Sequence, residues 1–442
     1  MRPVTSIVFS FAAFSIALSS ILAPRDAWAD AMDRLKIPEL KKLRAAIEVL
    51  REDYEPVTLE SGYTDFRAIL HAHSHWSHDS NASPEEVREG AKNAGVKIVM
   101  FTEHPADNYD YFKDGHRGLT DGVLFIPGAE TKGLLNYPLA SVKGLPADSP
   151  QQEVDNIRAT GGLVFLCHLE ERMDWELDNL TGSEIYNTHA DVKDEPRLYA
   201  ALANPLKVFG LIQAFEQYPQ ESFAALQNYP ADYLRRWDEL CQKDRLTGVA
   251  ANDSHHNQGL HAFITEDGKL QVNDGLDEAV LTLDPVEKPA IAALIAGKQP
   301  GATLFKLDLD PYERSFGHVS THLLMNELTE EATREALKAG RAYVAFDWIA
   351  DPTGFVFQGR QGETIHPMGS ELKLTDDLTL EAASPLPATF KLLKDGTEVT
   401  THVGRTFEYQ PTEPGNYRLE LWLNLPDGPQ IWVLSNPLYI RG

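Results

Sequence analysis

Five short apolar stretches of this chain run into residue types that bind metal ions. Ala68 to Leu70 leads into His71-Ala72-His73-Ser74-His75-Trp76-Ser77-His78-Asp79, and Val96 to Phe101 leads into Thr102-Glu103-His104. Leu163 to Cys167 precedes His168, and Leu246 to Ala251 precedes Asn252-Asp253-Ser254-His255-His256. Leu124 to Ile126 precedes Pro127-Gly128-Ala129-Glu130. Alternate residues of a strand face the same side, so His71 and His73 can bind one ion. Asp253 and His255 have the same spacing, and Glu130 could bridge two ions. One histidine after a strand is most often a hydrogen-bonded structural residue. Five strand ends that all carry His, Asp or Glu point to a metal centre.

The elements that position these residues read as alternating strand and helix. Ser83-Pro84-Glu85-Glu86 starts a helix with a Ser cap, an early Pro and a Glu three residues after the cap. Val87, Ala91 and Ala94 then fall on one face, and Gly95 ends the helix. Ser149-Pro150-Gln151-Gln152 repeats the start signal before Val154 and Ile157. A third helix carries Leu234, Trp237 and Leu240, and Thr329 caps a fourth that ends at Gly340, before a strand at Ala342 to Phe346. Such alternation implies a parallel sheet, open or closed, with reactive residues at the C-terminal strand ends. From Asp351 the pattern changes to strand and turn: Tyr417, Leu419, Leu421 and Leu423 alternate, and Asp395-Gly396 and Pro426-Asp427-Gly428 are turn chemistry. A small immunoglobulin-like β-sandwich is expected over 351–442, after an α/β part over 61–350 and a helical segment over 30–60.

Length and charge narrow the function. The chain has 442 residues and a formal charge of −26. Such a charge argues against a nucleic-acid duplex as partner, because that binding draws on clustered Lys and Arg. An anionic substrate must therefore be held locally, by metal ions or a few basic side chains. Arg2, the apolar run Ile7 to Ala23 and Ala27-Trp28-Ala29 read as a secretory signal over 1–29, cleaved after Ala29. The expected address is the periplasm or the exterior, with no stable membrane anchor after cleavage. Two cysteines, Cys167 and Cys241, provide no disulfide framework and read as core residues.

The ordered motifs resemble the PHP superfamily, named for polymerase and histidinol phosphatase. His-x-His, Ser-x-Asp, Thr-Glu-His, Gly-x-Glu, a His after Gly-Gly, and Asp-x-His follow one another between about Phe66 and His256. The resemblance implies a distorted (βα)7 TIM-like barrel holding two or three divalent ions at its C-terminal mouth. It implies His71, His73, Asp79, His104, Glu130, His168, Asp253 and His255 as ligands, and hydrolysis of a small phosphate ester, monoester or diester. The family's Ser-Asp-Gly is here Ser77-His78-Asp79-Ser80, so either His78 or Asp79 is the ligand, with Asp79 favoured. Its Thr-Asp-His is here Thr102-Glu103-His104. Clustered cations would generate a hydroxide between them and neutralise phosphoryl oxygens. The leaving oxygen needs a proton, for which His75, His189 and His256 are candidates, and His78 is a further catalytic candidate. Lys132 and Arg172, just past Glu130 and His168, could hold phosphate oxygens. Imidazole and carboxylate together suit Zn, Mn or Fe.

Other features have plainer readings. Ser74 and Ser77 flank the ligands as hydrogen-bonding groups rather than nucleophiles. His318 and His322 lie on what reads as a strand, Val319 to Leu324. Trp422 and Trp432 are expected inside the sandwich. Two competing functions remain: a metallo-amidohydrolase acting on a C–N bond, and a non-catalytic secreted metal- or ligand-binding protein. The full ligand set argues against the second. Oligomeric state is not legible.

Overall fold

The computed structural model describes residues 31–193, 197–198, 201 and 205–442. The secretory signal expected over 1–29 lies outside the described residues, among which no helix is long and apolar enough to cross a membrane.

The capping signals form the helices they imply. The Ser83 hydroxyl accepts the Glu86 amide and opens Pro84–Asn93, with Val87 and Ala91 on its buried face. Ser149 does the same for Pro150–Ala159, where Val154 and Ile157 are buried. Thr329 caps Glu330–Ala339, and Gly340, at φ 69°, ends it in the left-handed region.

Two sheets carry the strand ends. In the first, Thr64–Ala72, Ile98–Phe101 and Val123–Ile126 run parallel. In the second, Leu163–Leu166, Gly182–Asn187 and Thr247–Ala251 run parallel. Among the described residues their ladders join only at single bridges, Ala72 with Ser254 and Glu103 with Ala129, while Leu70, Phe165 and Val249 pack in one shared core. The fold is mixed α/β, and the barrel expected from the sequence is not closed by a continuous ladder. The reason lies at one edge of Thr64–Ala72. Its first half pairs antiparallel with Ser320–Met325, so only its last residues are free to meet the second sheet. Both bridges fall at C-terminal strand ends, where the candidate ligands sit.

The C-terminal strands join the α/β part through hydrogen bonds. Ala342–Ala345 pairs antiparallel with Gly428–Ser435, so one 14-stranded sheet runs from the α/β part into the residues expected to form a sandwich. Trp237, Phe346, Trp432 and Tyr439 lie in one continuous core. Arg418 adds a bidentate pair to Asp238, with both contacts at 2.8 Å. Asp395-Gly396 forms the two-residue turn its sequence implies, both at positive φ. Two further segments follow the strands Gly182–Asn187 and Thr247–Ala251. One is helical and includes Pro205–Gln217; the other is a four-stranded sheet from Gly259 to Asp308. They pack together through Val208, Leu211 and Leu307.

Ser320–Met325 is a strand, so His318 and His322 do not share a helical face. His322 is fully buried between two carboxylates, Nδ1 2.8 Å from Asp65 and Nε2 3.0 Å from Asp347. Arg67 pairs with Asp347 at 3.1 Å. His322, Asp347 and Asp351 lie close enough to suggest an ion site. The two ring nitrogens are already engaged, however, and Arg67 supplies the positive charge. Burial opposes a charged His322 ring, but Asp65 and Asp347 outweigh it and push its pKa up to about 10. A raised folded-state pKa gives stability that is complete below the ordinary value of about 6.5 and is lost as pH rises toward 10. His322→Gln is therefore expected to destabilise the fold at pH 6 by about 3–5 kcal/mol, as for other broken buried pairs. The difference from wild type should shrink between pH 7 and 10 in thermal melts; a gap independent of pH would contradict the charged ring.

Candidate metal centre

His71 and His73 end the strand that both sheets touch, and both are fully buried. The His73 amide donates to the Ser254 carbonyl at 2.9 Å, which ties this strand end to the Asp253-Ser254-His255 segment. That segment departs from the sequence reading. The strand stops at Ala251, and Asp253 has φ 49°, so a left-handed turn rather than strand alternation sets Asp253 and His255. His168 also has φ 49°. Left-handed backbone at non-glycine residues is costly and tends to mark functional positions. Glu130 lies on the short strand Ala129–Thr131, in a hairpin that the sequence reading did not foresee.

Eight side chains gather into two groups of possible metal ligands, His71, Glu130, His168 and Asp253 in one and His73, Asp79, His104 and His255 in the other. In the first, His71 Nε2 lies 3.1 Å from Asp253 Oδ1 and 3.4 Å from Glu130 Oε2, and His168 Nε2 lies 3.1 Å from Glu130 Oε1. In the second, Asp79 Oδ2 lies 3.4 Å from Nε2 of both His104 and His255. The groups adjoin: His73 Nε2 is 3.7 Å from Glu130 and 3.4 Å from Asp253, and His104 Nδ1 is 3.8 Å from Glu130. Glu130 therefore touches residues of both groups. Asp79, rather than the exposed His78, supplies the acidic member of the second.

Each buried imidazole is held from behind. His71 Nδ1 lies 2.7 Å from Glu184 Oε1, which is fully buried. Glu184 also accepts the His168 amide at 2.8 Å and the Asn187 side chain at 3.0 Å. His73 Nδ1 lies 3.0 Å from Ser77 Oγ, and that hydroxyl donates to Glu103 at 2.7 Å. Ser77 Oγ therefore accepts from the ring, which fixes the His73 proton on Nδ1. His168 Nδ1 faces Glu170 at 3.2 Å, and His255 Nδ1 faces the Asp253 carbonyl at 3.0 Å. Four rings thus keep Nδ1–H toward an acceptor and present an Nε2 lone pair to the centre. Partners of this kind orient metal-binding histidines. Sequence reading placed Ser74 and Ser77 in such a role but missed Glu184 and Glu170. A glutamate inside the buried strand Gly182–Asn187 was the available signal, since a buried carboxylate needs partners.

The charges fit a cation. Burial opposes the charged forms of His71 and His168, yet Asp253 and Glu130 raise both rings well above the ordinary imidazole value. Burial likewise opposes ionised Glu130 and Asp253, but the neighbouring imidazoles hold both well below the usual carboxylate range. In the second group burial is opposed by Asp79, which pushes His255 up to about 9, while burial and His255 depress His73 to about 3. The carboxylates that hold protons on these rings would hold a divalent ion in their place. Asp79 Oδ1, Asp253 Oδ1 and His255 Nε2 are buried without a hydrogen bond. Imidazole nitrogen with carboxylate oxygen is a donor set for a divalent transition ion, so the residues present fit one.

The remaining candidates divide. His189 lies beside the first group, Nδ1 3.5 Å from Asp253 Oδ2 and its ring edge-on to His168. His78 is mostly exposed, its ring 5.1 Å from that of His104. His75 is exposed and turns Nδ1 to the Ala82 carbonyl. His256 is held away from both groups, between Glu86 and Asp308, with both ring nitrogens engaged. That engagement leaves it no free nitrogen for the centre. Lys132 and Arg172 line a cavity of about 440 Å³ that also borders His104 and Glu130. Cys167 is buried as expected but not turned fully from the centre: its thiol donates to Glu130 Oε1 at 3.7 Å. Cys241 packs in the core against Tyr439.

No protein-family model matches this chain, and no curated protein matches it. Among solved structures it is similar to a two-domain protein from Bacteroides vulgatus ATCC 8482 that contains a predicted PHP-like metal-dependent phosphoesterase. That likeness has 14% identity and a TM-score of 0.36, and covers 86% of this chain and 98% of the other. An engineered protein aligns at 11% identity and a TM-score of 0.16, over 93% of this chain and 99% of its own. Likeness at this level leaves the chemistry to be argued from the side chains.

Proposed function

We propose that this chain is a metal-dependent hydrolase of small phosphate esters, working outside the cytoplasm once residues 1–29 are removed. One observation carries the reading: four imidazoles are held at Nδ1, and His71, His73 and His168 converge through Nε2 on Glu130 and Asp253 while His255 turns its Nε2 to Asp79. The residues suited to hold ions are the two groups of four, joined through Glu130. Two or three divalent ions bound there, Zn, Mn or Fe, would acidify a water and neutralise phosphoryl oxygens. The protein's own residues do the rest. Glu184, Ser77 and Glu170 fix ring orientation and tautomer. Asp253 and Glu130 hold negative charge at the centre, which keeps it selective for cations until substrate arrives. His189 lies beside Asp253, and burial lowers its pKa. The phosphoester assignment rests on the motif resemblance to PHP proteins together with this centre.

The test is hydrolysis of a chromogenic phosphomonoester and phosphodiester by residues 30–442, stripped of metal and reloaded with Mn or Zn. Turnover restored by metal, on either ester, is expected. Full metal loading without turnover of either ester would overturn the reading.

A further inference from the structure

The geometry points to a binding site for a second anionic group of the substrate in the cavity beside the metal centre. We infer that the substrate is a small phosphate ester whose leaving part carries a carboxylate or another phosphate. The inference rests on the phosphoesterase reading and names its substrate class.

Three observations carry it. The cavity, about 440 Å³, is of a size for a small molecule and shares His104 and Glu130 with the centre. A ligand whose reacting group meets the centre would extend into it. Second, the cavity gathers two cations, Lys132 and Arg172, in a chain with 66 acidic and 40 basic residues. Lys132 occupies a strained position. It and Gly133 form the two-residue turn between Ala129–Thr131 and Leu134–Tyr137, with φ 54° and 76°. Such turns favour Asn or Gly at the first position, so lysine there costs stability and calls for another reason.

Third, Arg172 is set in place. Its Nη1 donates to the His168 carbonyl at 3.1 Å, and its guanidinium lies 5.3 Å from the centre of the Trp175 ring. A Cβ on Gly133 would come within 2.1 Å of Arg172 Nε, so the glycine makes room for this side chain. That Nε is buried with no hydrogen-bond partner. Nη1 also meets Glu171 at 3.4 Å, and the guanidinium so held lines the cavity, where its planar fork suits an incoming oxyanion. Asp148 and Ser149 also line the cavity, which suits a hydroxyl on the same ligand.

The test uses two non-hydrolysable probes on the metal-loaded protein, 3-phosphonopropionate and propylphosphonate, titrated by calorimetry. The probe with the carboxylate is expected to bind about tenfold tighter or more, as a charge-assisted contact would give. Lys132→Asn removes the charge and keeps a residue that accepts positive φ; it should collapse the ratio, as should Arg172→Met. Equal binding of the two probes by wild type would overturn the inference. So would a ratio preserved in Lys132→Asn while both probes weaken, because the cations would then hold the reacting phosphoryl group. Failure of the phosphoesterase reading looks different: no ester is hydrolysed, while the two probes keep their ratio.

Discussion

Glu130→Ala is expected to lower ester hydrolysis about a thousandfold and to remove tight metal binding from both residue groups. Glu130, like Asp253, has contacts in both groups: 3.4 Å to His71, 3.1 Å to His168, 3.7 Å to His73 and 3.8 Å to His104. Losing it removes negative charge from the junction and leaves Asp253 alone among the imidazoles there. Charge stabilisation by bound cations is worth several kcal/mol in the transition state, and roughly 4 kcal/mol corresponds to a thousandfold. Elemental analysis of the variant should find the ion content reduced, alongside the rate. Activity within tenfold of wild type, with the same ion content, would show that Glu130 does not join the groups.

Glu184→Gln is expected to weaken metal binding by about 10–100-fold without unfolding the chain. Glu184 touches no ion in this account. It holds His71 Nδ1, the His168 amide and the Asn187 amide, and so orients two rings of the first group. Glutamine keeps the size but loses the charge that supports the His71 proton on Nδ1. The change should appear in metal-buffered titration and in the ligand-field spectrum of the Co(II)-substituted protein. A change in melting temperature alone would reduce Glu184 to a packing role. Glu103 stands behind the second group in a similar way, through Ser77.

Most of the candidate ligands stood out because they follow an apolar stretch whose burial leaves polar residues at the strand tip; Asp79, in the loop beyond Ala72, came only from the motif order. The helix caps were legible for the same local reason: Ser83, Ser149 and Thr329 each satisfy an amide three residues on. Contacts between distant segments were not. Glu184 sits mid-strand, and nothing in Gly182–Asn187 announces that its carboxylate meets His71, 113 residues earlier. The gap in the barrel was hidden too, because it depends on Ser320–Met325 pairing back onto Thr64–Ala72. The spacing of Asp253 and His255 brought forward two residues that do lie in the two groups, but on a strand where a left-handed turn stands. His256 was adjacent in sequence, but that turn sends it to Glu86 and Asp308 instead.

The most direct measurement is an anomalous difference map from crystals of the metal-loaded protein, collected at the absorption edge of the bound ion. Peaks are expected among His71, Glu130, His168 and Asp253 and among His73, Asp79, His104 and His255, with Glu130 between them. A loaded, well-diffracting crystal with no peak at either group, or with its ions bound elsewhere, would contradict that placement.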